Sequence, residues 1–324
     1  MNEAYFITGA YGCIGSWVVK SLIERGDRPF VFDLSDDARR LRAIMDDQSI
    51  SRVAFLRGDV TDAAAVRGAL ESSGAKKVIH LAGLQVPSCK ASPARGAMVN
   101  VIGTINVFEA AKAVGVDRIA YASSAAVYGL TEDGAPVDET LACEPSTHYG
   151  VFKRANEGNA RVFYLDDGIS SVGLRPLTVY GVGRDFGLTS DPTKAMKSAV
   201  LGRPFHIRFS GATDFLYVAD TAAAFIASVD RSPEGAHVFN LHGDSLDVEE
   251  VVRTINDQLP SERRGLITFG GPCIPIAPAI NDALFRSKIG EVKMTPLAEG
   301  VRQTITRFTE LLDEGRLDSA ELDG

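Results

Sequence analysis

The sequence predicts an α/β chain built on a doubly wound parallel sheet, with a smaller C-terminal lobe. Three observations carry that prediction. Short, continuously apolar runs alternate with helical patterns through the first half, as in a parallel sheet covered on both faces. A glycine-rich turn lies where the first run hands over to the first helix. Near residue 175 the rhythm breaks, Gly and Pro become frequent, and the elements shorten.

The elements follow in order. Residues 4–8 read as the first strand, followed by a helix that ends near Glu24-Arg25-Gly26. Strands are expected at 29–33, 52–56, 77–81 and 118–122, the last preceded by a helical stretch from about 93 to 114. A helix spans about 148–166, and 171–174 is a sixth strand. Right-handed crossovers between such strands produce a doubly wound sheet. Beyond residue 175 a helix returns at 218–229, a strand at 236–241 and an amphipathic helix at about 297–312. Residues 270–278 read as a Pro-rich loop, and the polar residues 313–324 as a frayed end. The expected division is a dinucleotide-binding unit over 1–174 and a mixed region over 175–324, which adds sheet elements and a substrate-binding lobe.

Composition narrows the function. The 324 residues are 45% hydrophobic and 23% charged, as in an ordinary globular enzyme, which excludes a disordered or fibrous chain. Lys and Arg total 34 against 42 Asp and Glu, a net charge of -8 with no basic stripe, so nucleic acid and anionic membranes are poor partners. No apolar run reaches the roughly 20 residues of a membrane helix. The N-terminus has no basic region and enters a strand at once, so no cleaved signal peptide is expected. Cys13, Cys89, Cys143 and Cys273 are scattered without a C-x-x-C pair. That pattern excludes a zinc site or disulfide framework, implies no bound metal, and fits a reducing cytoplasm.

The glycine turn reads Thr8-Gly9-Ala10-Tyr11-Gly12-Cys13-Ile14-Gly15. Gly9 permits a tight turn, Gly12 a close approach of backbone to a pyrophosphate, and Gly15 close helix–strand packing. The helix N-terminus then faces the anion. Asp33 ends the second strand, 18 residues beyond Gly15. A carboxylate there accepts hydrogen bonds from the adenosine ribose and repels a 2′-phosphate, which selects NAD over NADP. Arg39 and Arg40 are the competing feature, because a nearby arginine tolerates that phosphate.

With three residues from Gly9 to Gly12, the chain resembles the extended branch of the short-chain dehydrogenase/reductase superfamily, the branch of epimerases and dehydratases. The resemblance covers nearly the whole chain. It rests on Thr8–Gly15, on Gly58-Asp59-Val60, on His80-Leu81-Ala82-Gly83 and on Val99-Asn100-Val101. It implies a Rossmann-type sheet with NAD lying along Gly9, Tyr11, Gly12, Cys13, Ile14, Gly15, Asp33, Asp59, Val60, Leu81, Ala82, Gly83, Asn100 and Pro176. It also implies a homodimer formed by the helices at 93–114 and 148–166. His80 reads as a packed histidine without a chemical role.

Tyr149 and Lys153 stand four residues apart at the start of a helix, so phenol and ammonium share one face. A tyrosine with its ordinary value near 10 is a poor base at neutral pH. The Lys153 cation and a positive nicotinamide are expected to lower it, so that Tyr149 takes a proton from a substrate hydroxyl. Lys153 also anchors the nicotinamide ribose. Tyr-x-x-x-Lys alone is cheap by chance, and the segment Ser123-Ser124-Ala125-Ala126-Val127-Tyr128-Gly129 adds weight. By resemblance the catalytic hydroxyl is that of Ser124, with Ser123 the neighbour most easily confused with it.

The resemblance also separates reactions. Dehydratases carry Asp-Glu after this serine, whereas Ala125-Ala126 stand here, so dehydration is rejected. Sugar-nucleotide epimerases hold the diphosphate with an Arg and an Asn, at whose positions Thr213 and Thr178 stand. Both replacements remove groups suited to phosphate oxygens. Arg184, Arg203 and Arg208 are the residues that could compensate. The preferred reading is an NAD-dependent oxidoreductase acting at a secondary alcohol of a small sugar-like or hydroxy-acid substrate. Gln85, Ser124, Thr178 and Arg184 are its expected contacts, drawn from the segments 85–92 and 178–189, with Arg184 the carboxylate partner. The alternatives are a UDP-hexose-type epimerase with retained NAD and a non-catalytic dinucleotide binder.

Overall fold

Alternate residues of the first strand enter opposite apolar layers, and this organises the molecule. In the computed structural model, which describes residues 3–130 and 136–322, Tyr5 and Ile7 enter one buried cluster and Phe6 the other. A strand apolar on both faces must be covered on both. The strands are β1 (Ala4–Thr8), β2 (Arg28–Asp33), β3 (Ala54–Arg57), β4 (Lys77–His80), β5 (Arg118–Ala122), β6 (Ser170–Arg175), β7 (Thr178–Tyr180), β8 (Phe205–Ile207), β9 (Ala212–Tyr217), β10 (Ala236–Asn240), β11 (Asp244–Asp247) and β12 (Ile267–Phe269). The main sheet runs β3-β2-β1-β4-β5-β6-β10 with every pair parallel. This is the doubly wound order, whose direction reverses between β1 and β4 and opens a crevice at the strands' carboxyl ends.

The helices are α1 (Cys13–Arg25), α2 (Arg39–Ile44), α3 (Asp47–Ile50), α4 (Ala63–Ser73), α5 (Val86–Ala91), α6 (Pro93–Ala97), α7 (Gly103–Val114), α8 (His148–Asp167), α9 (Asp191–Val200), α10 (Val218–Asp230), α11 (Val248–Asp257), α12 (Ala283–Ile289) and α13 (Leu297–Asp313). Helices α4, α7 and α8 cover one face, with Val66, Leu70, Val107 and Phe108 packed beneath them. Helices α1 and α10 cover the other, through Val18, Leu22, Phe225 and Val229. Each such side chain contributes about 1.5–3 kcal/mol by leaving water.

The second half therefore completes the first. Strand β10 pairs with β6 through Phe239↔Leu174 and Asn240↔Arg175. Past β6 the chain forms a three-stranded sheet, β11-β9-β7, and a β12-β8 pair. The third main strand begins at Ala54, two residues later than expected, and is exposed along its length. The long helix expected at 93–114 contains a π-helical turn at Met98–Ile102, centred on Asn100. By length and composition Pro93–Val114 is apolar enough to cross a membrane, contrary to the expectation that no such stretch exists. Its α7 portion packs against α4 and α8.

The frayed end is also corrected. Lys194 Nζ donates to the Glu321 carbonyl (3.1 Å), and Lys197 Nζ donates to the Asp318 carbonyl (2.9 Å) and pairs with the Glu321 carboxylate. Two lysines of α9 thus tie residues 318–321 down. Residues 323 and 324 of that expectation lie outside the described residues.

Candidate active site

The glycine turn is shaped by contacts that exclude a side chain. Gly9 has φ +69°, and a Cβ there would lie 2.5 Å from the Ala82 nitrogen. A Cβ on Gly15 would lie 2.4 Å from the Gly9 carbonyl oxygen. Helix α1 begins at Cys13 without a side-chain cap, so its first N–H groups face the crevice. Gly9, Gly12, Cys13, Ile14 and Gly15 line a cavity of about 210 Å³. This uncapped, side-chain-free cradle fits a dinucleotide pyrophosphate. Burial pushes the Cys13 thiol up to about 11, which keeps it protonated beside an anion.

At the adenosine end, Asp33 accepts from the Tyr11 N–H (3.0 Å) and the Ser35 N–H (3.2 Å), which aims its carboxylate along the glycine turn. The Tyr11 ring stacks on Phe55 at 5.2 Å. Asp59 follows β3 and accepts from Thr61 N–H, while the Val60 carbonyl accepts from Asn106. Arg40 is committed elsewhere: it donates to the Tyr11 and Gly183 carbonyls and pairs with Asp185 at 2.6 Å. Arg39 pairs with Asp37, Asp185 and Asp318. Neither arginine is left without a carboxylate near Asp33. NAD is accordingly expected to bind about 100-fold more tightly than NADP, and Asp33→Ser to narrow the gap to about tenfold. Fluorescence titration of both cofactors measures this, and equal wild-type affinities would remove Asp33 from the selectivity.

The expected trio converges at the carboxyl ends of β5 and β6. Thr147 caps α8 by accepting from Gly150 N–H at 3.0 Å, which sets Tyr149 in the first turn. Lys153, one turn on, is buried, donates to the Ala122 carbonyl at 2.6 Å and lies 5.5 Å from the Tyr149 ring centroid. Ser124, Tyr149 and Lys153 all line the glycine-turn cavity, as do Leu81, Gly83 and Pro176. The two serines are told apart by their partners. Ser123 donates to Glu157 at 2.6 Å, whereas the Ser124 oxygen accepts from Ala126 N–H at 3.2 Å and keeps its proton for another acceptor. Ala125 and Ala126 are buried in a 3₁₀ turn, so no carboxylate stands there.

Electrostatics differ from the expectation for Tyr149. Burial raises the phenol above its ordinary value; hydrogen bonding from Ser124 and the Arg184 cation act in the opposite direction. Burial also lowers Lys153, to about 8, which weakens the cation expected to lower the tyrosine. Desolvation disfavours both charged forms, and it dominates because both groups are enclosed. His80 is a packing residue: Thr8 and Thr104 hydroxyls contact its two nitrogens, and burial with the Lys153 cation takes it down to about 3.

Three expected site residues are placed elsewhere. Thr178 is fully buried and does not reach the cavity; its hydroxyl pairs with that of Thr213 at 3.0 Å. Strand pairing between β7 and β9 turns the two toward each other. Asn100 spends its amide on the Leu84 N–H (2.7 Å) and carbonyl (2.9 Å), so it holds the loop after β4 from behind. Arg208 is bound by the buried Asp191 at 2.7 Å. Gln85 and Arg184 do line the cavity.

The sequence reading missed the network behind the trio. Glu157 accepts from Ser123 and pairs with Arg175 at 2.7 Å; Arg175 donates to Tyr128, which donates to Asn240. Its signal was present: Glu157 lies one turn beyond Lys153 on α8, and Arg175 ends the sixth strand.

The doubly wound sheet, the glycine cradle and the Tyr–Lys helix define a dinucleotide-dependent oxidoreductase. Residues 5–241 match the NAD dependent epimerase/dehydratase family, and the chain belongs to it. It is an enzyme of the extended short-chain dehydrogenase/reductase superfamily with NAD as its cofactor. It is 30% identical over 275 residues to a UDP-glucose 4-epimerase of Streptomyces lividans, covering 79% of this chain and 80% of that one. The structure of MoeE5 in complex with UDP-glucuronic acid and NAD superposes with a TM-score of 0.80 at 26% identity, over 95% of this chain and 99% of that one. A partial consensus L-threonine 3-dehydrogenase shares the fold, with a TM-score of 0.82 at 23% identity over 95% and 99% of the two chains.

Proposed function

We propose that this enzyme interconverts a secondary alcohol and its ketone in a small polar substrate, sugar-like or a hydroxy acid, with Tyr149 as general base. The observation that supports it is the convergence of Ser124, Tyr149 and Lys153 on the cavity into which the glycine turn opens. NAD⁺, when bound there, supplies the hydride acceptor. Tyr149 takes the hydroxyl proton, Ser124 donates to the same oxygen, and Lys153 supplies positive charge and a ribose contact. Asn100 acts as a positioning residue through Leu84. Residues 1–174 form the dinucleotide-binding unit, and residues 175–324 add sheet elements and the substrate-binding lobe.

A second reading is epimerisation of a UDP-sugar with retained NAD, and the names of the relatives support it more strongly than the first. It needs donors for a diphosphate. The Thr178–Thr213 pair and the commitment of Arg208 to Asp191 are the observations that favour the smaller substrate. Incubation with NAD⁺, a sugar and hydroxy-acid panel, and UDP-sugars separates the readings. Net NADH from a small alcohol supports the first. Conversion of a UDP-sugar to its isomer without net NADH supports the second, and neither outcome leaves a binder.

Homodimerisation is part of the proposal. Met98, Val151, Val162 and Leu165, on the helices at 98–102 and 148–167, are exposed apolar residues suited to a partner copy. Four free thiols suit a reducing cytoplasm.

A further inference from the structure

We propose that Arg184 is the anchor for a substrate carboxylate, and that the substrate is a small hydroxy acid held with its alcohol carbon at Tyr149. This rests on the alcohol–ketone reading above and specifies the substrate class of that same site.

The first observation is charge. Arg184 lines the cavity shared by Ser124 and Tyr149. Every other arginine of this neighbourhood has a carboxylate: Arg40 has Asp185, Arg175 has Glu157 and Arg208 has Asp191. Among the described residues Arg184 forms no ion pair. Its Nη2 donates to the Thr189 hydroxyl at 3.0 Å. With the Gln85 amide oriented to donate to the Phe186 carbonyl, Nη1 donates to the Gln85 oxygen at 3.2 Å. Its Nε is buried without a partner among the described residues. A partly buried guanidinium with only neutral acceptors and one buried, unused N–H is a site built for an anion.

The second observation is preorganisation. Gly187 has φ +109°, and a Cβ there would lie 1.9 Å from the terminal amide of Gln85 and 3.2 Å from Arg184 Nη2. The backbone therefore closes directly over the Gln85–Arg184 pair, as only glycine allows. Leu84, Leu177, Val179, Leu188 and Ile276 line the cavity and lower the local dielectric, which strengthens a guanidinium–carboxylate pair. Planar, forked donors suit a carboxylate better than a point charge does.

The third observation is size. The Thr178–Thr213 pair is closed on itself, and the cavity of about 210 Å³ includes the space beside the glycine turn. Such a site holds a short acid whose charge supplies the positioning that a nucleotide gives a larger substrate. The competing anion is the cofactor's own pyrophosphate, since Cys13 lies within the field of Arg184. The test must tell the two apart.

The test is direct calorimetric binding to NAD⁺-saturated Tyr149→Phe protein, in whose background the Arg184 substitutions are made, so that no acid is turned over during the titration. The probes are glycerate, threonate, gluconate and glucuronate against glycerol, threitol, glucitol and glucose, with UDP-glucuronate as a further arm. At least one free acid is expected to bind over 30-fold more tightly than its neutral counterpart. Arg184→Met should weaken that acid at least 100-fold and Arg184→Lys about tenfold. NAD⁺ affinity and unfolding temperature should stay within threefold and 2 °C. A parallel loss of NAD⁺ affinity assigns Arg184 to the pyrophosphate and overturns the proposal. So does equal binding of acids and neutral alcohols, or UDP-glucuronate binding far above glucuronate. Wild-type turnover of the same compounds separates this proposal from the reading it rests on. Arg184-dependent acid binding without wild-type turnover keeps the anchor and ends the alcohol–ketone reading. Turnover of neutral alcohols with no preference for acids does the reverse.

Discussion

Replacing Tyr149 with Phe lowers kcat about 10²- to 10⁴-fold and leaves NAD affinity within about twofold. The ring still occupies its place in the first turn of α8, and the Lys153 bond to the Ala122 carbonyl is untouched. Only the transferable proton is lost. Lys153→Ala behaves differently, weakening both turnover and NAD binding, because it removes a buried cation from the cavity wall. Steady-state kinetics with cofactor titration read both variants. Retention of more than a tenth of wild-type kcat by Tyr149→Phe would end the general-base assignment. Since burial raises the phenol and only its ionised form accepts a proton, alcohol oxidation should accelerate as pH rises through neutrality. The Lys153 cation, held down near 8, is lost above that pH and should bend the profile there.

Glu157→Ala destabilises the enzyme by about 3–5 kcal/mol, because it leaves the Arg175 guanidinium buried and unpaired. Both side chains of that pair are at least 96% buried, with 4% and 1% of their surface exposed. The unfolding temperature should fall by about 4–7 °C. Activity should fall as well, because Ser123 loses its acceptor at the mouth of β5 and Lys153 lies one turn away on the same helix. Thermal unfolding of the NAD-free variant measures the effect. A shift of less than about 2 °C would mean that Arg175 is satisfied by Tyr128 and solvent, and that the ion pair does not hold α8 on β6.

The fold was legible in the sequence where the signal is local. The seven strands of the main sheet and the two helices that flank the site are legible to within a residue or two, because period and composition act along the chain. Strand β3 was the poorest placed of these, being an exposed edge strand without a continuous apolar run. Strands β7, β8, β9, β11 and β12 are not legible in the sequence; all but β9 have only three or four residues, too few to carry periodicity. The docking of residues 318–321 is not legible either, because polar composition reads as solvated whether or not a lysine waits opposite.

The sequence by itself determined the glycine cradle, the acidic end of β2, the Tyr149–Lys153 face and the absence of a carboxylate pair after Ser124. Each depends on spacings of a few residues, which backbone geometry converts directly into position. Tertiary structure alone decided which hydroxyls, charges and amides are free to act. Thr178 and Thr213 stand 35 residues apart and cancel one another only because β7 pairs with β9. Arg40 is taken by Asp185 across 145 residues, and Glu157 and Asn240 join the site to the second half through Arg175 and Tyr128. A polar side chain's role follows from the partners that burial brings within hydrogen-bonding distance, and those partners lie beyond the reach of any local pattern.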